Sequence, residues 1–242
     1  MSLVGPSGCG KSYLIFQMLK NGTFYPMYDK VLYFYQYYQD VYSEMLKEID
    51  NIEFIQNVDF DLIENLPSDG TNYMLIFDDS CEEICKSTHF NKLATAGRHK
   101  NLSCIYVKHN LFHKGSIGRD AELQNTHIIL FKSPRDVQQI KVLGSQLGMG
   151  EQLKEWYESA TRIPYGYLMI DLNPRTPEYL RYCSDSASFP AMFLLPTSRA
   201  RITRVDDRSA ELLYSKALSR LQSLPPTHIH TELSKRIYQV LV

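Results

Sequence analysis

Gly5-Pro6-Ser7-Gly8-Cys9-Gly10-Lys11-Ser12 is the stretch of this 242-residue chain that decides its fold. It matches the pattern G-x-x-x-x-G-K-S, in which a glycine-rich loop connects a buried strand to a helix. Apolar residues precede the loop at Leu3 and Val4, and others recur after it at helical spacing as far as Lys20. The stretch therefore predicts a short strand, a tight loop and an amphipathic helix, in that order.

Such a loop predicts a site for phosphate groups. Its glycines let successive backbone N–H groups point at one anionic oxygen, and the N-terminus of the following helix adds a positive field. Residues 5–13, which end at Tyr13, are therefore the candidate nucleotide-binding residues. Lys11 is the candidate partner of the β- and γ-phosphates, and Ser12 is a candidate ligand of Mg²⁺. The alternative is a glycine-rich turn that only begins a helix.

Two aspartates, Asp78 and Asp79, directly follow a hydrophobic strand predicted at residues 73–77. In nucleoside-triphosphate sites, a carboxylate at a strand end holds magnesium through water, and a neighbouring acid orients or deprotonates the attacking water. We assign Asp78 to the metal and Asp79 to the base. The alternative is that Asp79 or Ser80 caps the helix predicted at residues 80–96.

Hydrophobic strands alternate with helices through most of the chain. Strands are predicted at residues 30–35, 52–56, 73–77, 101–107 and 127–132. Helices are predicted at residues 37–49, 61–66, 80–96, 119–124, 133–147 and 151–160, and the fifth of these has Pro134 at its first helical position. This alternation predicts an α/β fold with a mostly parallel central sheet flanked by helices. Residues 164–172 and 179–182 predict a C-terminal hairpin.

The composition changes after Cys183, where Ser, Pro and Arg become frequent. We therefore predict a P-loop domain at residues 1–183, a poorly ordered linker at 184–207 and a helical tail at 208–242. No apolar run reaches the ~20 residues that a bilayer-crossing helix needs, and no signal peptide is evident. The sequence predicts no membrane association, and a location in the cytoplasm or nucleus.

The formal net charge is −1, so no global field attracts the chain to a polyanion. The segment at residues 86–119 nevertheless contains seven Lys or Arg, four His and no Asp or Glu. This basic segment is the candidate surface for nucleic acid or another phosphate-bearing partner. The alternative is a chance charge-poor stretch whose lysines are simply solvated.

The ordered set of motifs resembles the DNA-packaging ATPases of the FtsK–HerA superfamily, in particular the poxvirus type and its relatives in giant viruses, virophages and Polinton/Maverick elements. The matching segments lie at residues 5–12, 31–35, 76–79, 97–99, 105–112, 128–136 and 167–174, with Arg181. The resemblance implies a P-loop NTPase fold and ATP hydrolysis with Mg²⁺, coupled to loading of a viral or transposon-borne double-stranded DNA genome into a capsid. It also implies a homo-oligomeric ring, usually a hexamer, with capsid proteins as further partners and the virion as a further location.

The resemblance implies two more kinds of catalytic residue. In such enzymes the strand after the Asp-Asp pair ends in a glutamine that senses the γ-phosphate, and His109 stands at that place here. Open parallel sheets bind ligands beyond the carboxyl ends of their strands, so the position of His109 after the strand at 101–107 makes it a candidate on its own residues as well; the alternative is a plain loop histidine. A neutral imidazole still donates one hydrogen bond, although its donors and acceptors change with pH as those of an amide do not. An arginine from one subunit completes the next subunit's site, and Arg98 and Arg119 are the candidates.

The candidate catalytic residues are thus Lys11, Asp79, His109, Arg98 and Arg119. Two other functions remain open at this stage. One is a small-molecule kinase built on the same loop, and the other is an inactive relic that binds a nucleotide or a capsid partner without hydrolysing ATP.

Overall fold

The computed structural model describes residues 1–24, 28–67, 69–78, 101–112, 125–176 and 181–184. The chain divides into the units Met1–Leu195 and Pro196–Val242, and every described residue belongs to the first. The linker and tail predicted after residue 183 therefore stay predictions. The predicted helices at 80–96 and 119–124, and most of the basic segment, also lie outside the described residues.

Eight strands and five helices occupy the described part of the chain. In chain order they are β1 (Ser2–Val4), α1 (Lys11–Lys20), β2 (Lys30–Tyr35), α2 (Asp40–Glu48), β3 (Ile52–Gln56), α3 (Phe60–Glu64), β4 (Tyr73–Asp78), β5 (Leu102–Lys108), β6 (His127–Phe131), α4 (Val137–Gln146), α5 (Glu151–Ala160), β7 (Tyr167–Asp171) and β8 (Tyr182–Ser184). None of the helices in these ranges is long and apolar enough to cross a bilayer.

All eight strands form one sheet in the order β3-β2-β4-β5-β1-β6-β7-β8. The strands from β3 to β6 are parallel to their neighbours, whereas β7 and β8 are added antiparallel. Strands β2 and β4 are nearly continuous apolar runs, as expected for strands covered on both faces. The predicted α/β class, with a mostly parallel sheet and a C-terminal hairpin, is confirmed.

Helices cover both faces of this sheet. On one face, Ile15 of α1 and Tyr42 of α2 pack in a cluster with Tyr33 of β2. The opposite face carries Phe34 with α3, and further along the sheet it carries α4 and α5. Successive side chains of a strand point to opposite faces, which is why Tyr33 and Phe34 separate. Side chains of β2 and β4 that point to the α1 side therefore meet the helix that follows the glycine-rich loop.

Several predicted boundaries require correction. The helix predicted at residues 37–49 is α2 at Asp40–Glu48, and the strand predicted at residues 164–172 is β7 at Tyr167–Asp171. Two further differences concern the turn before α4 and the last strand. The helix expected to open at Ser133-Pro134 begins at Val137, and residues 133–136 form a turn in which Asp136 N–H donates to Ser133 O at 3.3 Å. Among the described residues 181–184, the last strand occupies Tyr182–Ser184 and extends two residues past its predicted end at residue 182, because its pairing with β7 continues from Ile170↔Tyr182 to Leu168↔Ser184. The final residue of this strand is therefore the one at which the linker was expected to begin.

Candidate functional site

The glycine-rich loop lies at the C-terminal edge of the parallel sheet. Strand β1 pairs with β5 through Val4 and Lys108, and Gly5 N–H continues this pairing by donating to Lys108 O at 3.1 Å. The chain then turns away from the sheet and enters α1 at Lys11. Open parallel sheets bind ligands beyond this edge, so the loop lies where a ligand is expected.

Two glycines of the loop are required by its geometry. A Cβ at Gly5 would lie 2.8 Å from Cys9 Sγ and 2.8 Å from Phe131 Cβ. Gly10 has a φ of 99° and immediately precedes α1, a left-handed conformation that glycine adopts without steric cost. The first N–H groups of a helix have no acceptor inside the helix. A side chain at Gly5 or Gly10 would therefore disturb the turn, and the turn leads directly to N–H groups that have no acceptor inside α1.

The remaining loop residues differ in their exposure. Pro6, Ser7 and Gly8 form an exposed tip, Cys9 is half-buried, and Tyr13 on the first turn of α1 is exposed. Burial raises the pKa of the Cys9 thiol, and the nearby Lys11 ammonium only partly opposes that effect. The thiol is therefore neutral at physiological pH and adds no charge that would repel a phosphate.

The side chain of Lys11 folds back into the loop. Its Nζ atom donates to Gly5 O at 2.8 Å and to Pro6 O at 2.9 Å, and the residue is only 6% exposed. Carbonyl dipoles thus hold a buried ammonium group on the inner side of the loop. A phosphate oxygen is a stronger acceptor for an ammonium group than a neutral carbonyl is, so this arrangement suits Lys11 to exchange its partners when an anion binds.

Ser12 and Asp78 form the link between the two predicted motifs. Ser12 Oγ donates to Asp78 Oδ2 at 2.9 Å, and Asp78 is 1% exposed at the end of β4. Strand β5 lies between β4 and β1 in the sheet, so the start of α1 reaches across it to bring the hydroxyl to the carboxylate. Mg²⁺ prefers oxygen ligands and is often held by one carboxylate together with substrate phosphates and water. The Ser12 and Asp78 oxygens fit such an ion.

Two tyrosines that the sequence analysis did not single out also contact Asp78. Tyr33 donates its hydroxyl to Asp78 Oδ2 at 2.6 Å and Tyr42 donates to the same oxygen at 3.0 Å. Both tyrosines are fully buried. Burial, with the Asp78 charge as a second cause, raises the pKa of Tyr33 well above its usual value, so that hydroxyl keeps its proton and remains a donor. Successive side chains of a strand point to opposite faces of a sheet. In β2 and β4, this alternation was the only sequence signal that could have placed Tyr33 on the same face as Asp78.

The hydroxyl of a third tyrosine holds the end of β6, the strand that lies against the glycine-rich loop. Tyr157 of α5 donates to Phe131 O at 3.0 Å and accepts from Ser133 N–H at 2.6 Å. Phe131 Cβ is also the atom that an added Cβ at Gly5 would strike. The hydroxyl of Tyr157 therefore holds the end of β6 in the position that leaves room only for glycine in the loop.

Of the other predicted site residues, only His109 lies within the described part of the chain. His109 is exposed immediately after β5, and the preceding Lys108 carbonyl accepts the Gly5 N–H, so its backbone lies beside the start of the loop. Its role as the γ-phosphate sensor stays a prediction. Asp79, Arg98 and Arg119 lie outside the described residues, and their assigned roles also stay predictions.

Apart from the Ser12 and Asp78 oxygens, the described ranges offer no evident place for a metal ion. Across residues 1–78 and 101–184, leaving out the gaps in those ranges, no group of three or more His, Cys, Asp or Glu could hold one. The candidate magnesium site therefore supplies few protein ligands, which is the usual situation when phosphate oxygens and water complete the shell.

No family model and no curated protein matches this sequence. Among solved structures, the chain is similar to the genome packaging NTPase B204 from Sulfolobus turreted icosahedral virus 2 in complex with sulfate, with 20% identity over 72% of this chain and 92% of that one and a TM-score of 0.48. It is similar to B204, the DNA-packaging ATPase from Sulfolobus turreted icosahedral virus, with 17% identity over 71% and 91% and a TM-score of 0.48. It is also similar to the cytoplasmic domain of the Thermomonospora curvata type VII secretion ATPase EccC, with 10% identity over 73% and 24% and a TM-score of 0.47.

Proposed function

We propose that this chain is an ATPase of the FtsK–HerA kind that couples ATP hydrolysis to movement of double-stranded DNA. The observation that carries the proposal is the 2.9 Å hydrogen bond from Ser12 Oγ to Asp78 Oδ2. It joins the end of a phosphate-binding loop to a buried carboxylate at the ligand-binding edge of a parallel sheet. The buried Lys11 ammonium beside the same loop adds the charge that a triphosphate requires.

The residues of the site divide the work of phosphoryl transfer. Lys11 would move from the loop carbonyls to the β- and γ-phosphate oxygens and neutralise the charge that develops there. Ser12 and Asp78 would hold Mg²⁺, which supplies further charge neutralisation when it is bound with ATP. Asp79 would orient the attacking water and accept its proton, and His109 would donate a hydrogen bond to the γ-phosphate.

The proposal extends to the partners that the motif order implies. Within the basic segment at residues 86–119, β5 lies inside the sheet with Lys108 buried, so the rest of the segment would supply part of a DNA-facing surface or of the contacts between subunits. Arg98 or Arg119 would enter the site of the next subunit in a homo-oligomeric ring. Contacts that a motor makes with a duplex are largely to phosphates, so binding to DNA is expected to tolerate sequence and to weaken with salt. A packaging role in an infected or element-bearing cell, with capsid proteins as partners, belongs to the same proposal.

The rate of ATP turnover with and without duplex DNA tests the proposal. We expect DNA to stimulate the wild-type chain, and we expect Lys11→Ala to lower turnover by at least about 10²-fold, as the loss of a group that stabilises transition-state charge does. Lys20→Ala is the matched control, because Lys20 lies on the same helix but forms an exposed ion pair with Glu48 at 3.3 Å.

Each alternative has its own outcome in this experiment. Turnover that needs Lys11 but ignores DNA, and transfers phosphate to a small acceptor, would indicate a kinase. A chain with no Lys11-dependent turnover would be a nucleotide-binding relic. Light scattering after size exclusion, with and without nucleotide, tests the ring, since a chain that stays monomeric in both conditions contradicts it.

His109 has its own test. We expect His109→Gln to raise turnover, because an amide keeps both a donor and an acceptor at every pH. His127→Gln, which changes a histidine at the start of β6, is the control. Turnover that stays at the wild-type level in both variants would remove His109 from the site.

A further inference from the structure

We propose that Tyr33 and Tyr42 are positioning residues of the magnesium site, whose hydroxyls fix the orientation of the Asp78 carboxylate toward Ser12. The inference rests on the proposed nucleotide site. It adds two residues to that site, and neither belongs to the glycine-rich loop or to the acidic pair.

The geometry around Asp78 is a convergence of three hydroxyls on one oxygen. Ser12, Tyr33 and Tyr42 donate to Oδ2 at 2.9, 2.6 and 3.0 Å, respectively. The donors come from α1, β2 and α2, and both helices pack on the face of the sheet to which Tyr33 of β2 points. The 2.6 Å distance is in the range of hydrogen bonds from a hydroxyl to an ionised carboxylate. Rotation of the carboxylate away from this position would break all three bonds at once.

The two tyrosines differ from Ser12 in what holds them. Their rings lie 5.0 Å apart, and each ring centroid is 4.9 Å from that of Phe54 of β3. A tyrosine has two side-chain torsions, and dense aromatic packing locks both of them, so its hydroxyl occupies one place. Ser12, in contrast, lies on the first turn of α1, directly after the glycine-rich loop. The tyrosines therefore supply the side of the site held by the aromatic cluster, and Ser12 supplies the side next to the proposed phosphate-binding loop.

Outer partners of this kind contribute measurably to metal sites. Groups that hydrogen-bond to a metal-binding carboxylate set its orientation, and their removal costs about 10- to 100-fold in metal affinity or activity. A purely structural role makes a different prediction. If the hydroxyls only satisfy a buried carboxylate, their removal lowers the stability of the fold and leaves the dependence on Mg²⁺ unchanged.

The test uses the full chain with Tyr33→Phe and Tyr42→Phe, each of which removes a hydroxyl and keeps the ring. Tyr35→Phe is the matched control, because its ring lies in the same cluster, 5.4 Å from Tyr42, while its hydroxyl makes no hydrogen bond to Asp78. Binding of a fluorescent, non-hydrolysable ATP analogue is measured over a series of free Mg²⁺ concentrations and in excess chelator, and the melting temperature is measured in parallel.

We expect the half-saturating Mg²⁺ concentration to rise about tenfold in both tyrosine variants, with unchanged affinity in chelator and wild-type behaviour in Tyr35→Phe. A lowered melting temperature with an unchanged Mg²⁺ dependence would overturn the inference. Tyr42→Phe removes the longer bond and keeps the test available if Tyr33→Phe does not fold. If the wild-type chain itself shows no Mg²⁺-dependent binding, the proposed function fails. If the wild type binds the nucleotide in a Mg²⁺-dependent way and the two tyrosine variants show the same Mg²⁺ dependence, the positioning role fails while the proposed function stands.

Discussion

Ser12 Oγ and Asp78 Oδ2 are 2.9 Å apart, although 66 positions separate the two residues in the chain. The contact joins the first turn of α1 to the last residue of β4, across the intervening strand β5. A hydroxyl and a carboxylate held this way form an oxygen pair suited to a hard cation. The two motifs found in the sequence thus meet in the structure.

Replacement of Ser12 tests this relationship directly. Ser12→Ala removes the hydroxyl that donates to Asp78, and we expect it to raise the Mg²⁺ concentration needed for nucleotide binding by at least about tenfold. Ser12→Thr keeps a hydroxyl and should stay close to the wild type. Isothermal titration with an ATP analogue at several Mg²⁺ concentrations measures both, and equal behaviour of the two variants would contradict a metal-binding role for the hydroxyl.

Replacement of Gly5 tests the shape of the loop. In Gly5→Ala the new methyl group would lie 2.8 Å from Phe131 Cβ, and this overpacking is expected to lower the free energy of unfolding by about 1–3 kcal/mol. Because the clash displaces the loop, nucleotide affinity should fall as well.

Gly22→Ala is the control for that experiment. Gly22 lies after α1, away from the loop, and has a φ of +59° with open space around it. Alanine there is therefore expected to lower the free energy of unfolding by about 1–2 kcal/mol through backbone strain alone. Urea denaturation and nucleotide binding, measured on both variants, separate the effects. An affinity loss as large in Gly22→Ala would show that lowered stability, and not loop shape, is responsible.

Removal of the Tyr157 hydroxyl tests the support of β6. Tyr157→Phe would leave the Phe131 carbonyl and the Ser133 N–H without the partner that each has now. Since an unsatisfied buried polar group costs about 1–3 kcal/mol, we expect a loss of that size in the free energy of unfolding. Tyr37→Phe, at a side chain that is 71% exposed, should change it by less than about 0.5 kcal/mol. A loss as small in Tyr157→Phe would mean that water replaces the hydroxyl.

Proton binding at His127 should be visible in the pH dependence of the stability of the fold. Burial lowers its pKa from the usual 6.5, and Asp171 at 3.7 Å only partly opposes this effect. Among the described residues, the Thr126 hydroxyl lies 2.9 Å from Nδ1 and the amino group of Met1 also acts on the ring through its charge. Below pH 6.5 the unfolded chain takes up a proton at this residue more readily than the folded chain does, so stability falls as the pH decreases from 6.5 toward the lowered value.

His127→Asn removes that titration. We expect the melting temperature of the wild type to fall more steeply between pH 7 and pH 5.5 than that of the variant, because the variant has no group at residue 127 whose proton binding differs between the folded and unfolded states. Parallel curves for the two proteins would show that the folded and unfolded states bind protons equally at residue 127.

Local patterns were sufficient to predict the fold class and the two motifs of the site. The glycine-rich loop and the apolar strands depend on residues close together in the chain, since turns and strand or helix periodicity are short-range properties. The strand at 30–35 was therefore found with its exact bounds, and Asp78 was recognised by its place at a strand end. The same local patterns misjudged the turn at residues 133–136, where Tyr157 of a distant helix binds the Ser133 N–H.

The order and register of the strands came only from the tertiary structure. Whether Tyr33 meets Asp78 depends on β2 lying beside β4, with Tyr35 opposite Asp78, and on α2 bringing Tyr42 to the same oxygen. Composition and periodicity give these tyrosines no mark that separates them from other core tyrosines. Long-range pairing decides which buried hydroxyl meets which buried charge, and the sequence by itself leaves that pairing open because many registers satisfy the same apolar pattern.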